Sequence, residues 1–199
     1  TTYDVTVTGG DLSALDGTVG LNLAATSGIT DLAGNALPAT EPATDETYTV
    51  DNTAPAVNIQ APSATLTSST AITYVVQYTD ADSISLSADD IAVTSTGDAA
   101  AGTITVTGSG PMSRTVTLSD FSGDGTLAID IAAGTAEDGA GNASAAPATS
   151  NAFTVDTTRP TVSITAPTAS PDPFDITVTF SEVVSDFVVG DITIAGGSL

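Results

Sequence analysis

Residues 48–62 read YTVDNTAPAVNIQAP, and residues 153–167 read FTVDTTRPTVSITAP. The two stretches align without a gap, so that Asp51 matches Asp156 at a distance of 105 residues. The matched prolines are Pro55 with Pro160 and Pro62 with Pro167. This period is well above the roughly 20–50 residues of solenoid repeats, and it indicates whole domains in tandem.

Three further pairs of segments repeat in the same order along the chain. They are Asp16-Gly17-Thr18 with Asp124-Gly125-Thr126, DLAGN at 31–35 with DGAGN at 138–142, and ITYVVQYTD at 72–80 with ITVTFSE at 176–182. These collinear matches predict three units. Residues 1–51 are expected to be the C-terminal half of one repeat, 52–156 a complete repeat, and 157–199 the N-terminal half of a third.

The complete repeat has the pattern of short strands rather than helices. Apolar residues alternate with polar ones in TITVT (103–107) and in LAIDI (127–131), the period of two expected of half-buried strands. Glycine-rich turns separate the alternating segments. The expected strands are 56–60, 71–79, 90–95, 102–107, 112–118, 125–132 and 151–156. Seven short strands in a domain of this size predict an all-β, immunoglobulin-like sandwich, so we expect one complete sandwich flanked by two half-domains.

The charge excludes several classes of partner. Two arginines stand against 24 acidic residues, with no lysine or histidine, and the formal net charge is −22. Nucleic acid is excluded because phosphate binding requires a cationic face. No apolar run approaches the roughly 18 residues that a membrane-spanning helix requires, so no membrane insertion is expected in this segment. The chain has no cysteine, which excludes disulfides and thiolate metal sites.

The repeated motifs resemble those of bacterial Ig-like tandem repeats in giant cell-surface and biofilm-associated adhesins. The residues that carry the resemblance are Val155-Asp156, Thr158, Pro160, Phe180-Ser181-Glu182, Asp191-Ile192, Asp124-Gly125-Thr126 and the segment 138–142. The resemblance implies export to the cell surface, or to an extracellular matrix or filament. It also implies an elongated stalk of tandem domains, often with calcium at the domain junctions.

The residues themselves also favour calcium. In an up-and-down sandwich, the loops after the second and sixth strands meet the entering linker at one pole, and three acidic segments then converge there. The expected ligands at this first junction are Asp51, Asp80, Asp82, Asp138 and Asn142. The second junction would gather Asp156 and Glu182, with Asp120 and Asp124 as further candidates. Asp11 and Asp16 face the first junction from the preceding repeat. Calcium accepts six to eight oxygen ligands in loose geometry, which suits such loops. The alternative is that these residues only form turns, with Asp31 and Asp138 in Asx turns.

Catalysis is not expected, because histidine, lysine and cysteine are absent and aromatic residues are few. Three functions remain: a stalk or spacer in a surface adhesin, a subunit of a head-to-tail fibre or surface layer, and a glycan- or protein-binding module. The partners expected are adjacent repeats or further copies of the chain.

The two half-domains are complementary, since one supplies late strands and the other early strands. We therefore expect 1–51 of one copy to pack against 157–199 of the next, with Asp31 near Asp156 and Glu182. Either a longer continuous chain or strand exchange between separate chains would produce this arrangement; a continuous chain is favoured because the alignment leaves only a short gap.

Overall fold

The computed structural model describes residues 2–23, 28–38, 46–169, 171 and 173–196. Thr1 and Leu199, the outer ends of the expected half-domains, lie outside the described residues. Within those residues the strands are, in chain order, β1 (Gly17–Gly20), β2 (Thr47–Val50), β3 (Ala56–Ile59), β4 (Leu66–Thr67), β5 (Ile72–Thr79), β6 (Ser83–Ile84), β7 (Ile91–Gly97), β8 (Ala100–Thr107), β9 (Ser113–Ser122), β10 (Gly125–Ile131), β11 (Ala136–Glu137), β12 (Phe153–Val155), β13 (Val162–Thr165) and β14 (Thr177–Phe180). Short 3₁₀ helices occur at Gly10–Ala14, Ala88–Asp90 and Val189–Asp191.

A sandwich of two four-stranded sheets is formed by β3, β4, β5, β7, β8, β9, β10 and β12, while β6 and β11 pair with each other in a separate two-stranded sheet. One sheet has the order β3-β5-β9-β8, and the other has the order β4-β12-β10-β7, in which β12 and β4 run parallel. When the two-residue strands are set aside and the others are lettered A to G, these orders read ABED and GFC. This is the pairing of the immunoglobulin fold, so the expected all-β sandwich is confirmed.

The core lies between the two sheets and follows directly from strand alternation. In β5, the side chains of Ile72, Tyr74, Val76 and Tyr78 are buried, while the intervening residues face outward or are partly covered. Phe153 of β12 packs against Tyr74 from the opposite sheet, with ring centroids 6.3 Å apart. The hydroxyl group of Tyr74 has a hydrogen-bond partner in the core, because it donates to the carbonyl oxygen of Asn151 at 2.8 Å.

The repeated Asp-Gly-Thr motif requires its glycine for steric reasons. Gly125 begins β10 with a φ of +150°, and a Cβ built there would lie 1.9 Å from the carbonyl oxygen of Thr96. The equivalent Gly17 begins β1 with a φ of +158°. Both glycines start strands in a region of φ that other residues rarely adopt, so the motif is first of all a strand-start signal.

Two segments flank the sandwich, and each contains a two-stranded ribbon. In the N-terminal flank (described residues of 2–51), β1 pairs with β2 so that Gly17 lies opposite Val50, just as Gly125 lies opposite Val155 in the sandwich. In the C-terminal flank (described residues of 157–196), β13 pairs with β14 so that Val162 lies opposite Phe180.

The register of this second ribbon also occurs in the complete repeat. In the pairing of β3 with β5, Val57 lies opposite Tyr78, and these are the positions that match Val162 and Phe180 in the sequence. The matched sequences of the flanks therefore form the same local pairings as in the complete repeat.

Candidate functional site

The acidic residues expected at the first junction line one concave surface at the end of the sandwich. Asp51 follows β2, Asp80 follows β5, and Asp138 follows β11; these three side chains and Asp82 share a cleft with Tyr48. Asp80 has a φ of +62°, a left-handed conformation that aspartate tolerates better than most residues. The structure thus brings together the three acidic segments at the pole where the linker enters.

The loop of Asp138 is a closed hydrogen-bonded turn. The Oδ1 atom of Asp138 accepts from the backbone N–H groups of Ala140 and Asn142, both at 2.9 Å, and Oδ2 accepts from Asn142 Nδ2 at 2.8 Å. The hydrogen bond from the Asn142 side chain is the main reason that the pKa of Asp138 lies below its ordinary value. Asn142 Nδ2 also donates to the backbone carbonyl oxygen of Asp51 at 2.9 Å, so this loop is hydrogen-bonded to the entering linker.

Asp31 forms the same turn in the N-terminal flank. Its Oδ1 accepts from the backbone N–H groups of Ala33 at 2.9 Å and Asn35 at 2.8 Å, and its Oδ2 accepts from Asn35 Nδ2 at 2.8 Å. The side chain of Asn35 is likewise the first cause of the lowered pKa of Asp31. The Asp-x-x-Gly-Asn motif therefore encodes an Asx-type loop in both places, which is the alternative that the sequence left open for these two residues.

The expected ligand Asp156 of the second junction lies at a separate concave surface of the sandwich. Asp156 lines a different concavity together with Thr67, Ser68 and Thr158, and the residues described around it do not include Glu182. The Oδ1 atom of Asp156 accepts from the backbone N–H of Thr158 at 3.2 Å. Glu182 is exposed just after β14. That Asp156 and Glu182 meet at the second junction stays a prediction.

The described residues do not form a complete calcium-binding site. In the part of the chain that the structure describes, no group of three or more histidine, cysteine, aspartate or glutamate side chains is close enough to hold a metal ion. The donors have the right chemistry, since calcium prefers carboxylate and carbonyl oxygen. Calcium at the first junction would have to draw Asp51, Asp80 and Asp82 closer together than they lie in this structure.

The aspartates of the repeated Asp-Gly-Thr motif hold the linkers. Asp16 Oδ1 accepts from the backbone N–H of Asn52 at 2.6 Å, and its Oδ2 accepts from Thr53 Oγ1 at 2.8 Å. Asn52 Nδ2 adds bonds to the carbonyl oxygens of Leu12 at 2.9 Å and Leu15 at 2.7 Å. The backbone bond from Asn52, followed by the hydroxyl bond from Thr53, lowers the pKa of Asp16.

The second linker is held in the same way. Asp124 Oδ1 accepts from the backbone N–H of Thr157 at 2.6 Å and from its hydroxyl at 3.1 Å, while Oδ2 accepts from Thr158 Oγ1. The hydroxyl of Thr158 is the first cause of the lowered pKa of Asp124, and the N–H of Thr157 is the second. We call these two arrangements the linker clamps, Asp16 with Asn52 and Thr53, and Asp124 with Thr157 and Thr158.

The sequence placed Asp16 and Asp124 near the junctions but did not identify their partners. The signal was present in the repeats, because each Asp-Gly-Thr motif is accompanied by a Val-Asp-x-Thr linker, at positions 50–53 and 155–158. Asp120, expected as a further junction residue, instead accepts from Thr103 Oγ1 of β8 at 2.6 Å. It therefore secures the edge of one sheet.

Comparison with known families gives one match. Residues 156–199 match the model of the bacterial Ig-like domain family. No curated protein and no solved structure matches the chain. Among the described residues, no helix is both long and apolar enough to cross a membrane. The family match, which begins at Asp156 of the second linker, identifies a type of domain and not the larger protein in which such a domain occurs.

Proposed function

We propose that the chain is a structural spacer in an exported bacterial surface protein, where successive Ig-like repeats hold a distal part away from the cell. No catalytic role is proposed, because the chain has no histidine, lysine or cysteine to act as base or nucleophile. The bacterial Ig-like match at 156–199 and the strongly acidic composition support an extracellular surface location.

The observation that carries the proposal is the presence of a linker clamp at both junctions. A spacer holds a distal part at a defined distance only if the angle between successive repeats is fixed. A flexible linker of several residues would not fix that angle. Asp16 and Asp124 each tie the first two residues after the linker aspartate back to the body of the preceding unit. The same device at both junctions is what a tandem stalk requires.

Calcium binding at the first junction is a second part of the proposal. The cleft lined by Asp51, Asp80, Asp82 and Asp138 collects negative charge from three segments, and a divalent cation would relieve the repulsion between them. Binding there would stiffen the contact between the linker and the loops that already touch it through Asn142.

A deletion of one repeat tests the spacer role. Removing residues 52–156 joins Asp51 to Thr157 and keeps the linker sequence pattern intact. On cells that produce the protein, electron microscopy should show the same surface projection shortened by the length of one repeat, with any distal binding retained. Loss of binding at unchanged projection height would instead favour a ligand-binding module and contradict the spacer.

A further inference from the structure

Each linker clamp is built on an aspartate that is followed directly by glycine. The chain has three such Asp-Gly steps, at Asp16-Gly17, Asp124-Gly125 and Asp138-Gly139. A polypeptide isomerises most readily at Asp-Gly, because glycine has no side chain to hinder attack of its backbone nitrogen on the preceding carboxyl group. Both clamps therefore lie at chemically labile positions.

The isomerisation needs no catalyst and no reagent other than water. The backbone nitrogen of the glycine attacks Cγ of the aspartate and forms a C–N bond, while one carboxyl C–O bond breaks and a water molecule leaves. The cyclic succinimide that results takes up one water molecule again. Hydrolysis at its α-carbonyl leaves isoaspartate, in which the main chain runs through the former side chain and is one methylene longer.

The fold requires both glycines that flank Asp124. A Cβ on Gly125 would lie 1.9 Å from the carbonyl oxygen of Thr96. A Cβ on Gly123, which has a φ of +70°, would lie 2.0 Å from the carbonyl oxygen of Asp98. The labile step is thus a consequence of how β10 begins, and a bulkier neighbour cannot protect it.

Burial does not protect this step either. The side chain of Asp124 is exposed, whereas that of Asp138 is only 9% exposed. Water can therefore reach the carboxyl group of Asp124. Its protection must come from restraint of the carboxylate and of the nitrogen that would attack it.

The linker clamp restrains the carboxylate. Oδ1 of Asp124 accepts from the backbone N–H of Thr157 at 2.6 Å, and Oδ2 accepts from the hydroxyl of Thr158. Attack makes Cγ tetrahedral and expels one of these oxygens as water. At least one hydrogen bond from the linker must therefore break before the reaction can proceed.

The β-sheet restrains the attacking nitrogen. The backbone N–H of Asp98 donates to the carbonyl oxygen of Asp124 at 2.9 Å. Gly125 therefore forms a non-hydrogen-bonded pair with Gly97 of β7, and its own N–H faces Val155 of β12 on the other side. Val155 is only two residues before Thr157, so one displacement of this segment would release both reacting groups.

We propose that Asp124 is a site of isoaspartate formation, and that the linker clamp controls the reaction by holding the groups that would react. The modification removes the clamp, because the carboxyl group that accepted from Thr157 and Thr158 becomes part of the main chain. A temporary opening of the linker would thus become permanent. The inference rests on the geometry of the clamp, and it depends neither on calcium nor on the spacer role.

Incubation in water enriched in ¹⁸O tests the proposal, because each passage through the succinimide adds one solvent oxygen to the product. Wild type is kept at neutral pH, folded in buffer and, in parallel, unfolded in urea. Proteolytic fragments are then analysed by mass spectrometry, in which electron-transfer fragmentation distinguishes isoaspartate from aspartate. All three Asp-Gly steps should react at similar rates in urea, and Asp124 should react more slowly by about tenfold or more in the folded chain.

The double variant Thr157→Val with Thr158→Val separates the clamp from the strands. Valine has the shape of threonine but lacks the hydroxyl groups that donate to Asp124. Isomerisation at Asp124 should accelerate by about three- to tenfold. Asp138, whose carboxylate is held by Asn142 of its own loop, should keep its wild-type rate. Thermal unfolding of the sandwich should not change, because both threonines are exposed.

Three results would overturn the proposal. Absence of isoaspartate at Asp124 in urea would show that it is not a site of modification. Equal rates in the folded and the urea-unfolded chain would show that the folded state does not control the reaction. A rate in the double variant equal to that of wild type would mean that the β-sheet alone protects the step, without the clamp.

Discussion

The carboxylate of Asp124 accepts the backbone N–H of Thr157 at 2.6 Å across 33 residues of sequence. Asp16 accepts the N–H of Asn52 at the same distance in the preceding unit. In each case an aspartate just before one strand, β10 or β1, accepts a hydrogen bond from the linker that follows the neighbouring strand, β12 or β2. The two contacts fix where each linker begins, and the behaviour of the linkers can be tested through them.

Removing the second clamp should loosen the linker without unfolding the sandwich. In Asp124→Ala the N–H of Thr157 and the hydroxyl of Thr158 lose their acceptor, so we expect faster amide exchange and lower ¹⁵N order parameters at these two residues. Asp124→Asn, which keeps one acceptor oxygen, should restore part of the order. Asp89→Ala, an exposed aspartate outside both clamps, is the matched control. Unchanged dynamics in Asp124→Ala would show that the clamp does not restrain the linker.

The clamp should open only at strongly acidic pH. Hydrogen bonds lower the pKa of Asp124 from its ordinary value of 3.8, so they favour the charged form in the folded state. The contribution is therefore complete above the unfolded value and is lost as pH falls through the lower folded value. The amide proton shift of Thr157, followed by NMR, should titrate with a midpoint below 3.8. A midpoint at or above that value would contradict the hydrogen-bonded geometry.

Two aromatic residues at the same position of the repeat should differ sharply in their contribution to stability. Phe153 is 1% exposed and Tyr48, its equivalent, is 73% exposed. Phe153→Ala should lower the free energy of unfolding by about 3–5 kcal/mol, because it leaves a cavity between Tyr74 and Phe121. Tyr48→Ala should change the free energy of unfolding by less than about 0.5 kcal/mol. Urea titrations of both variants measure the difference. Equal losses of unfolding free energy would mean that the side chain of Tyr48 is also packed in a core.

Calcium should stabilise the first junction by mass action. At a free concentration about 100 times the Kd, a single site adds about 2.7 kcal/mol to the stability of the native state. Thermal unfolding with calcium and with a chelator should therefore differ for wild type. The double variant Asp80→Asn with Asp82→Asn should abolish this difference, whereas Asp89→Asn should retain it. Identical midpoints for wild type at low salt would refute calcium binding in this cleft.

Much of the fold is predictable from the sequence because strand periodicity and repeat spacing are strong signals. The alternation in LAIDI identifies β10, and the segment ITYVVQYTD identifies β5. The two-residue strands β4, β6 and β11 are not predictable in this way, since two residues carry no period. The exact boundaries of the three expected units stay a prediction.

The candidate site was predictable only in part. Loop topology placed Asp51, Asp80, Asp82 and Asp138 at one pole, and the structure gathers them in one cleft. Topology does not say how close side chains come, so it could not show that the oxygen atoms of Asp138 are already engaged by Ala140 and Asn142. The partners of Asp124 lie 33 residues away and leave no local pattern, so only the recurrence of a Val-Asp-x-Thr linker after each Asp-Gly-Thr motif points to them.

Double electron–electron resonance between spin labels on either side of the second linker tests the spacer role most directly. Because the chain lacks cysteine, spin labels can be placed by Ser95→Cys in β7 and Ser163→Cys in β13. If the linker holds the two units at a fixed angle, the labels should give one narrow distance distribution, which broadens when Asp124→Ala is added. A broad distribution in the wild-type background, unchanged by Asp124→Ala, would contradict a stiff spacer.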